Sequence, residues 1–166
     1  MVTTTDKVSY GTSTAITCTL AGLASSATAG RMSASVDNTT NLYVDAMLYL
    51  AVKTSGATLA NDKACYVYLY GSEDGTNYSG STQEGTAGTD SAVTFDNPTN
   101  LKGSYVISCI SGNQTFKLVI GSVASAFGGV MPRKWGFALQ NYTGQPLSVT
   151  EGDHTKTYTG VYYTNS

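Results

Sequence analysis

Cys65-Tyr66-Val67-Tyr68-Leu69-Tyr70 alternates small or aliphatic side chains with tyrosines, one for one. A period of two is the mark of a β-strand, whose successive side chains point to opposite faces. With Cys65, Val67 and Leu69 turned to a core, Tyr66, Tyr68 and Tyr70 form a row on the other face. Such a row is either covered by another part of the chain or offered to a partner, because exposed rings are enriched at interfaces.

The same period recurs outward from this stretch. Ile16, Cys18 and Leu20 alternate with Ala15, Thr17 and Thr19, and Phe116, Leu118 and Ile120 with Lys117 and Val119. Trp135, Phe137 and Leu139 alternate with Gly136, Ala138 and Gln140, and Tyr158, Gly160 and Tyr162 with Thr157, Thr159, Val161 and Tyr163. Ser91–Phe95 and Gly103–Ile110 read as two further strands. Leu42–Val52 is apolar apart from Asp45 and suits a buried helix or a strand covered on both faces. Its Tyr and Val content and the lack of a capping box favour the strand.

Turn clusters separate these runs, at Ser55-Gly56, Glu73-Asp74-Gly75-Thr76-Asn77, Asp96-Asn97-Pro98, Ser111-Gly112-Asn113 and Thr143-Gly144-Gln145-Pro146. No helical segments recur between the strands. The expected fold is therefore all-β: an antiparallel β-sandwich, jelly-roll-like, with eight or nine strands. Residues 1–10 are polar and Thr-rich and are expected to form an N-terminal arm, with residues 11–166 as a single β-sandwich domain. Gly80–Asp90, rich in Gly, Thr and Ser, is the most loop-like part.

Composition narrows the function. Charged residues are 12% of the chain, about half the usual quarter. With 25 Thr, 18 Ser, 18 Gly and 12 Tyr, the chain is too rich in strand formers and too poor in charge for intrinsic disorder. A net charge of −2 lacks the basic footprint of a nucleic-acid binder. No apolar run is long enough for a membrane helix, so neither nucleic acid nor membrane is expected as a partner. Met1–Lys7 lacks the basic start and apolar stretch of a signal peptide. Cys18, Cys65 and Cys109 are odd in number and form no CxxC pair, so the chain reads as made in a reducing cytosol.

No motif carries catalysis. His154, the single histidine, lies in the polar turn Glu151–Thr155 with nothing of a nucleophile elbow beside it. One His and three dispersed thiols match no zinc spacing. Glu73–Asn77 is oxygen-rich but lacks the ligand order of an EF-hand, and reads as a hairpin turn with Asp-Gly at its tip. Gly128-Gly129 precedes no Lys-Ser/Thr and reads as a turn or bulge, not a phosphate loop. No enzyme, metal or cofactor is expected.

Six phrases, in chain order, carry a resemblance. They are Leu23-Ala-Ser-Ser-Ala-Thr-Ala-Gly-Arg31, Val36-Asp-Asn-Thr-Thr-Asn-Leu42, Asn61-Asp-Lys-Ala64, Val67-Tyr-Leu-Tyr-Gly-Ser-Glu-Asp-Gly-Thr76, Phe127-Gly-Gly-Val-Met-Pro-Arg-Lys-Trp-Gly136 and His154-Thr-Lys-Thr-Tyr-Thr-Gly-Val161. Together they resemble small virion structural proteins of tailed bacteriophages, over roughly residues 12 to 163. The resemblance implies a non-enzymatic capsid decoration (cement) protein. Such a protein is made in the host bacterial cytoplasm, carried on the virion head and bound across major capsid protein subunits as a homo-oligomer, a trimer by preference. Other roles within reach are a tail, neck or fibre component, or an adhesion module that binds a surface glycan. The expected partner contacts are Val2, Thr3, Thr4, Thr5 and Lys7 on the arm, and Tyr66, Tyr68 and Tyr70 on the tyrosine row.

Overall fold

The computed structural model describes residues 6–60, 62–80, 88–95 and 99–165. Its strands are β1 (Asp6–Tyr10), β2 (Thr14–Ala15), β3 (Ala29–Met32), β4 (Val36–Asp37), β5 (Asp45–Lys53), β6 (Ala64–Ser72), β7 (Ser91–Thr94), β8 (Lys102–Ser108), β9 (Thr115–Ile120), β10 (Lys134–Tyr142) and β11 (Thr155–Asn165). All pairings are antiparallel. β1 and β2 run one after the other along β11, with a one-residue register shift between them. β3 and β4 do the same along β10. Each couple acts as one interrupted strand.

One sheet, called A here, runs β1/β2–β11–β5–β9; the other, B, runs β7–β3/β4–β10–β6–β8. With β7 set aside, the pairings nest. First strand meets last (β1/β2 with β11), second meets second-last (β3/β4 with β10), and so on to β5 with β9 and β6 with β8. That nesting is a long hairpin rolled on itself, the jelly-roll form of the β-sandwich. β7 is an addition to the connection between β6 and β8, and it lengthens sheet B at its β3 edge.

The core between the sheets is built from the alternating residues of the long strands. Ala46, Leu48, Leu50 and Val52 of β5 face Cys65, Val67 and Leu69 of β6 and Trp135, Phe137 and Leu139 of β10. Trp135 meets Tyr158 of β11 edge to face, with centroids 5.6 Å apart. Leu42–Val52 is thus a strand from Asp45 onward. It starts there because Asn38 first closes a loop, accepting from the Tyr43 N–H (2.8 Å) and donating to the Tyr43 carbonyl (3.0 Å).

Two expectations change. Asp6–Tyr10 is not an arm: it is a strand of sheet A, held by β11 within the same chain. Ile16, Cys18 and Leu20 are buried while Thr17 and Thr19 are exposed, as the alternation implies, yet the stretch belongs to no ladder. It crosses from sheet A to sheet B: the Ile16 N–H bonds to the Lys156 carbonyl of β11 (2.8 Å), and at the far end carboxylates take the amides where a neighbouring strand would. Asp90 accepts from the Thr19 N–H (3.0 Å) and hydroxyl (2.5 Å), and Glu151 from the N–H groups of Leu20 (2.8 Å) and Ala21 (2.7 Å).

Candidate functional site

Among the described residues, the neighbourhood that brings a thiol, an imidazole and a carboxylate together is the wall lined by Cys18, Glu151, His154 and Lys156. Its groups are already committed. The Lys53 N–H donates to His154 Nδ1 (3.3 Å), and Nε2 faces the Ser148 carbonyl (3.1 Å). Glu151 pairs with Lys156 as well as with the two amides. Burial, reinforced by Asp90, pushes the Cys18 thiol up to about 12, far from a thiolate at neutral pH. These residues fasten the crossing segment to the start of β11.

Cys65 and Cys109 touch, with Sγ atoms 3.9 Å apart. Cys65 stands opposite Ile107, while the Cys109 N–H bonds to the Lys63 carbonyl (2.7 Å). The two cysteines are therefore diagonal neighbours, whose Cα atoms lie about 7–8 Å apart. That is at or beyond the reach of a disulfide, which ends near ~7 Å. The pair is a reduced contact inside the core.

The Glu73–Asn77 turn is self-contained. Asp74 accepts from the N–H groups of Thr76 (2.8 Å) and Asn77 (2.7 Å), the Asn77 side-chain amide (2.6 Å) and the Ser72 hydroxyl (3.1 Å). Those donors, the Asn77 backbone N–H foremost, hold its carboxyl well below the usual range. Tyr78 bridges back to Ser72, closing the turn as the Asp-Gly reading implied. Among the described residues no group of three metal-ligating side chains forms. No helix among them is long and apolar enough to cross a membrane.

The tyrosine row lies on the outer face of sheet B, and the chain covers much of it. Tyr70 is fully buried. It stands directly opposite Gly136, where a Cβ would come within 2.4 Å of its ring. Its hydroxyl donates to the Ser33 carbonyl (2.7 Å). Met32, Val93, Leu101 and Ala138 complete a second, smaller core around it. Tyr68 packs on Phe95, with centroids 5.3 Å apart, and Tyr66 reaches Asp62 through its hydroxyl (2.7 Å). Tyr70 is thus a core residue rather than a contact, while Tyr66 and Tyr68 are half-buried. Val2, Thr3, Thr4 and Thr5 lie outside the described residues, and so do residues 81–87 of the Gly80–Asp90 loop. Lys7 is exposed on β1.

The open surface is the outer face of sheet A. By register, Val8 and Tyr10 (β1), Val161 and Tyr163 (β11), Met47 and Tyr49 (β5) and Val119 (β9) share it with Thr155, Thr157 and Thr159. Val8, Tyr10, Val119 and Tyr163 are each more than half exposed. A trough of about 530 Å³ runs across it, lined by Tyr10, Met47, Tyr49, Val119 and the three threonines. Among the described residues of this face, charges stand only at its borders, in Asp6, Asp45, Lys53 and Lys117. Of these, Asp45 is held by the Ala46 and Ala124 N–H groups and Lys53 by Asp153. The β11 alternation was the signal for this face in the sequence, whereas Leu42–Val52, expected to be covered on both faces, buries Ala46, Leu48, Leu50 and Val52 and leaves Met47 and Tyr49 half-buried at the open face. Comparison with protein-family models, with curated proteins and with solved structures finds no match to the chain.

Proposed function

We propose that the chain is a non-enzymatic structural component of a tailed-bacteriophage particle, a capsid decoration protein that binds across major capsid protein subunits and braces the head. The observation that carries the reading is the outer face of sheet A, an apolar and hydroxyl-rich surface without charge at its centre, on a sandwich whose other outer face is covered over much of its area. Jelly rolls serve as viral capsid and lectin domains, and fold alone does not choose between them. The phrases quoted from Leu23 to Val161 favour the particle. A rigid sandwich seated on several joints adds buried area at each, and copies arranged by symmetry multiply the effect.

The test is the number of copies per purified virion, by quantitative mass spectrometry against the major capsid protein. A ratio close to that of the capsid protein is expected. A few copies per particle overturns decoration in favour of a tail, neck or fibre position, and absence from particles overturns the virion reading.

One observation favours a second reading, a glycan-binding module on the particle surface. The trough places the rings of Tyr10 and Tyr49 beside the hydroxyls of Thr155, Thr157 and Thr159, the ring-and-hydroxyl pairing a neutral sugar requires. Binding on a glycan array that disappears in Tyr49→Ala supports it; silence across the array removes it.

A further inference from the structure

β1 and the end of β11 form a two-stranded ribbon beyond the sandwich. β5 reaches β11 only as far as Val161, while β1 continues the pairing to Asn165. Along β1 every residue except Ser9 is exposed. Two strands alone are marginal in water, and an uncovered edge is a template for pairing.

The direction of the free backbone groups follows from parity. The Gly11 N–H bonds to the Gly160 carbonyl (2.8 Å), so Gly11 and Gly160 form a hydrogen-bonded pair. Antiparallel ladders alternate bonded and non-bonded pairs. Ser9–Tyr162 and Lys7–Thr164 are therefore bonded, while the N–H and C=O groups of Asp6, Val8 and Tyr10 point away from β11. The Val44 N–H bonds to the Val161 carbonyl (2.9 Å) on the other side of β11, which agrees with that parity. No described segment pairs with this edge of β1.

We infer that the free edge of β1 pairs with β1 of a second copy, antiparallel, about a two-fold axis through Val8, joining two A sheets into one. Parity allows only registers that place the outward groups of Asp6, Val8 and Tyr10 against one another. Charge selects among them. Centring the axis on Lys7 opposes two lysines, and centring it on Asp6 opposes two aspartates, each unfavourable at cross-strand distance. Centring it on Ser9 carries the pairing into Thr12 and Ser13, where the strand shifts register. With Val8 on the axis, Asp6 lies opposite the partner's Tyr10 and Lys7 opposite the partner's Ser9. Val8 meets its own copy on the face that already carries Tyr10 and Tyr163. Five paired residues bury less than the roughly 1,600 Å² of a standard interface, so the dimer is a micromolar one.

A two-fold pair differs from the trimer implied by the phage resemblance, and it stands or falls independently of the proposed decoration role, which copy number tests. The experiment is sedimentation velocity on the full chain and on Val8→Pro. Proline removes the Val8 N–H that faces outward and leaves every β1–β11 bond in place. The expected result is a dimer whose dissociation constant rises at least about tenfold in Val8→Pro, with an unchanged near-ultraviolet circular dichroism spectrum. Ser9→Pro, which removes a bond inside the ribbon, is the control that perturbs the ribbon itself. Should Val8→Pro fold poorly, Val8→Cys decides. Bonded partners have Cα atoms about 5.5 Å apart, within disulfide reach, so oxidised glutathione yields a covalent dimer that the wild type, with its buried thiols, does not form. A monomer at about 100 μM, well above a micromolar dissociation constant, a trimer, or a dimer indifferent to Val8→Pro and not cross-linked by Val8→Cys overturns the inference.

Discussion

The outer faces of the two sheets are made from similar residues and end in opposite states. On sheet B, Tyr68 and Tyr70 of β6 stand beside Ala138 and Gly136 of β10, and Tyr78, Val93, Phe95 and Leu101 close over them. On sheet A, Tyr49 of β5 stands beside Thr157 of β11, and no described segment returns. The difference lies in the partner strand. Gly136 leaves room for the Tyr70 ring to lie down on the sheet, where Ser33, Met32 and Val93 can surround it. The threonines of β11 fill that space, so rings on sheet A border a trough instead of sinking into a core. Here the ring opposite a glycine is core once distant segments cover it, and the ring opposite a threonine borders a trough.

The largest expected effects therefore fall on sheet B. Tyr70→Ala removes a fully buried ring and should cost about 4 kcal/mol in urea denaturation. Tyr70→Phe leaves the Ser33 carbonyl without its donor and should cost about 1–2 kcal/mol. Gly136→Ala drives a methyl into the same ring and should cost about 1–3 kcal/mol. A loss below about 1 kcal/mol for Tyr70→Ala would mean that the second core is not packed as described, and the contrast between the faces would fail.

The next effect tests the segment that ties the sheets together. Burial pushes the Asp90 carboxyl up, but Arg31 (Nε–Oδ1 2.6 Å) and the Thr19 donors outweigh it and hold it at about 2. The unfolded value is about 3.9. A folded value below the unfolded one gives stability that is full above about pH 4 and drains as pH falls toward 2. Asp90→Asn should lose about 2 kcal/mol at neutral pH and flatten the decline between pH 4 and 2. A wild-type-like pH profile in that variant would show that the Asp90 carboxylate does not hold the crossing segment, leaving its apolar residues and Glu151 to do so.

How much of this was legible in the sequence follows the same divide. Alternation in Cys65–Leu69 and Phe116–Ile120 reports which side chains are the more buried, and both runs are strands in the sandwich. Trp135–Gln140 is a strand too, but Gly136, Ala138 and Gln140 are buried along with the core-facing residues, because the outer face is covered there. Ile16–Leu20 shows the limit of the signal. Its alternation reports burial correctly, but a ladder requires a neighbouring backbone, and here Asp90 and Glu151, 71 and 131 residues away in sequence, supply the acceptors. The fate of the tyrosine row was hidden for a similar reason. Its cover comes from Val93, Phe95 and Leu101, and local pattern carries no information about which distant segment returns to which face. Exposure of the sheet A trough was likewise unreadable, because Met47 and Tyr49 alternate with buried leucines just as Tyr66 and Tyr68 alternate with Cys65 and Val67.

The smallest expected effect on stability is the one that most sharpens the comparison. Thr157→Val exchanges a hydroxyl on the open face for a methyl of similar volume, and substitutions at such sites usually fall within about 0.5 kcal/mol. Tyr49→Ala, on the same face, removes a half-buried ring and should cost about 1 kcal/mol, well short of Tyr70→Ala. Binding should reverse that order. If the face of sheet A seats the protein on a capsid surface, Tyr49→Ala lowers occupancy on particles that lack the wild-type protein, while Tyr70→Phe, whose change lies inside the second core, leaves occupancy intact. Equal occupancy for Tyr49→Ala and wild type would take binding away from the trough. Because Tyr49 contributes little to folding and Tyr70 much, measuring both quantities on both variants separates a surface kept open for a partner from one that merely lacks a cover.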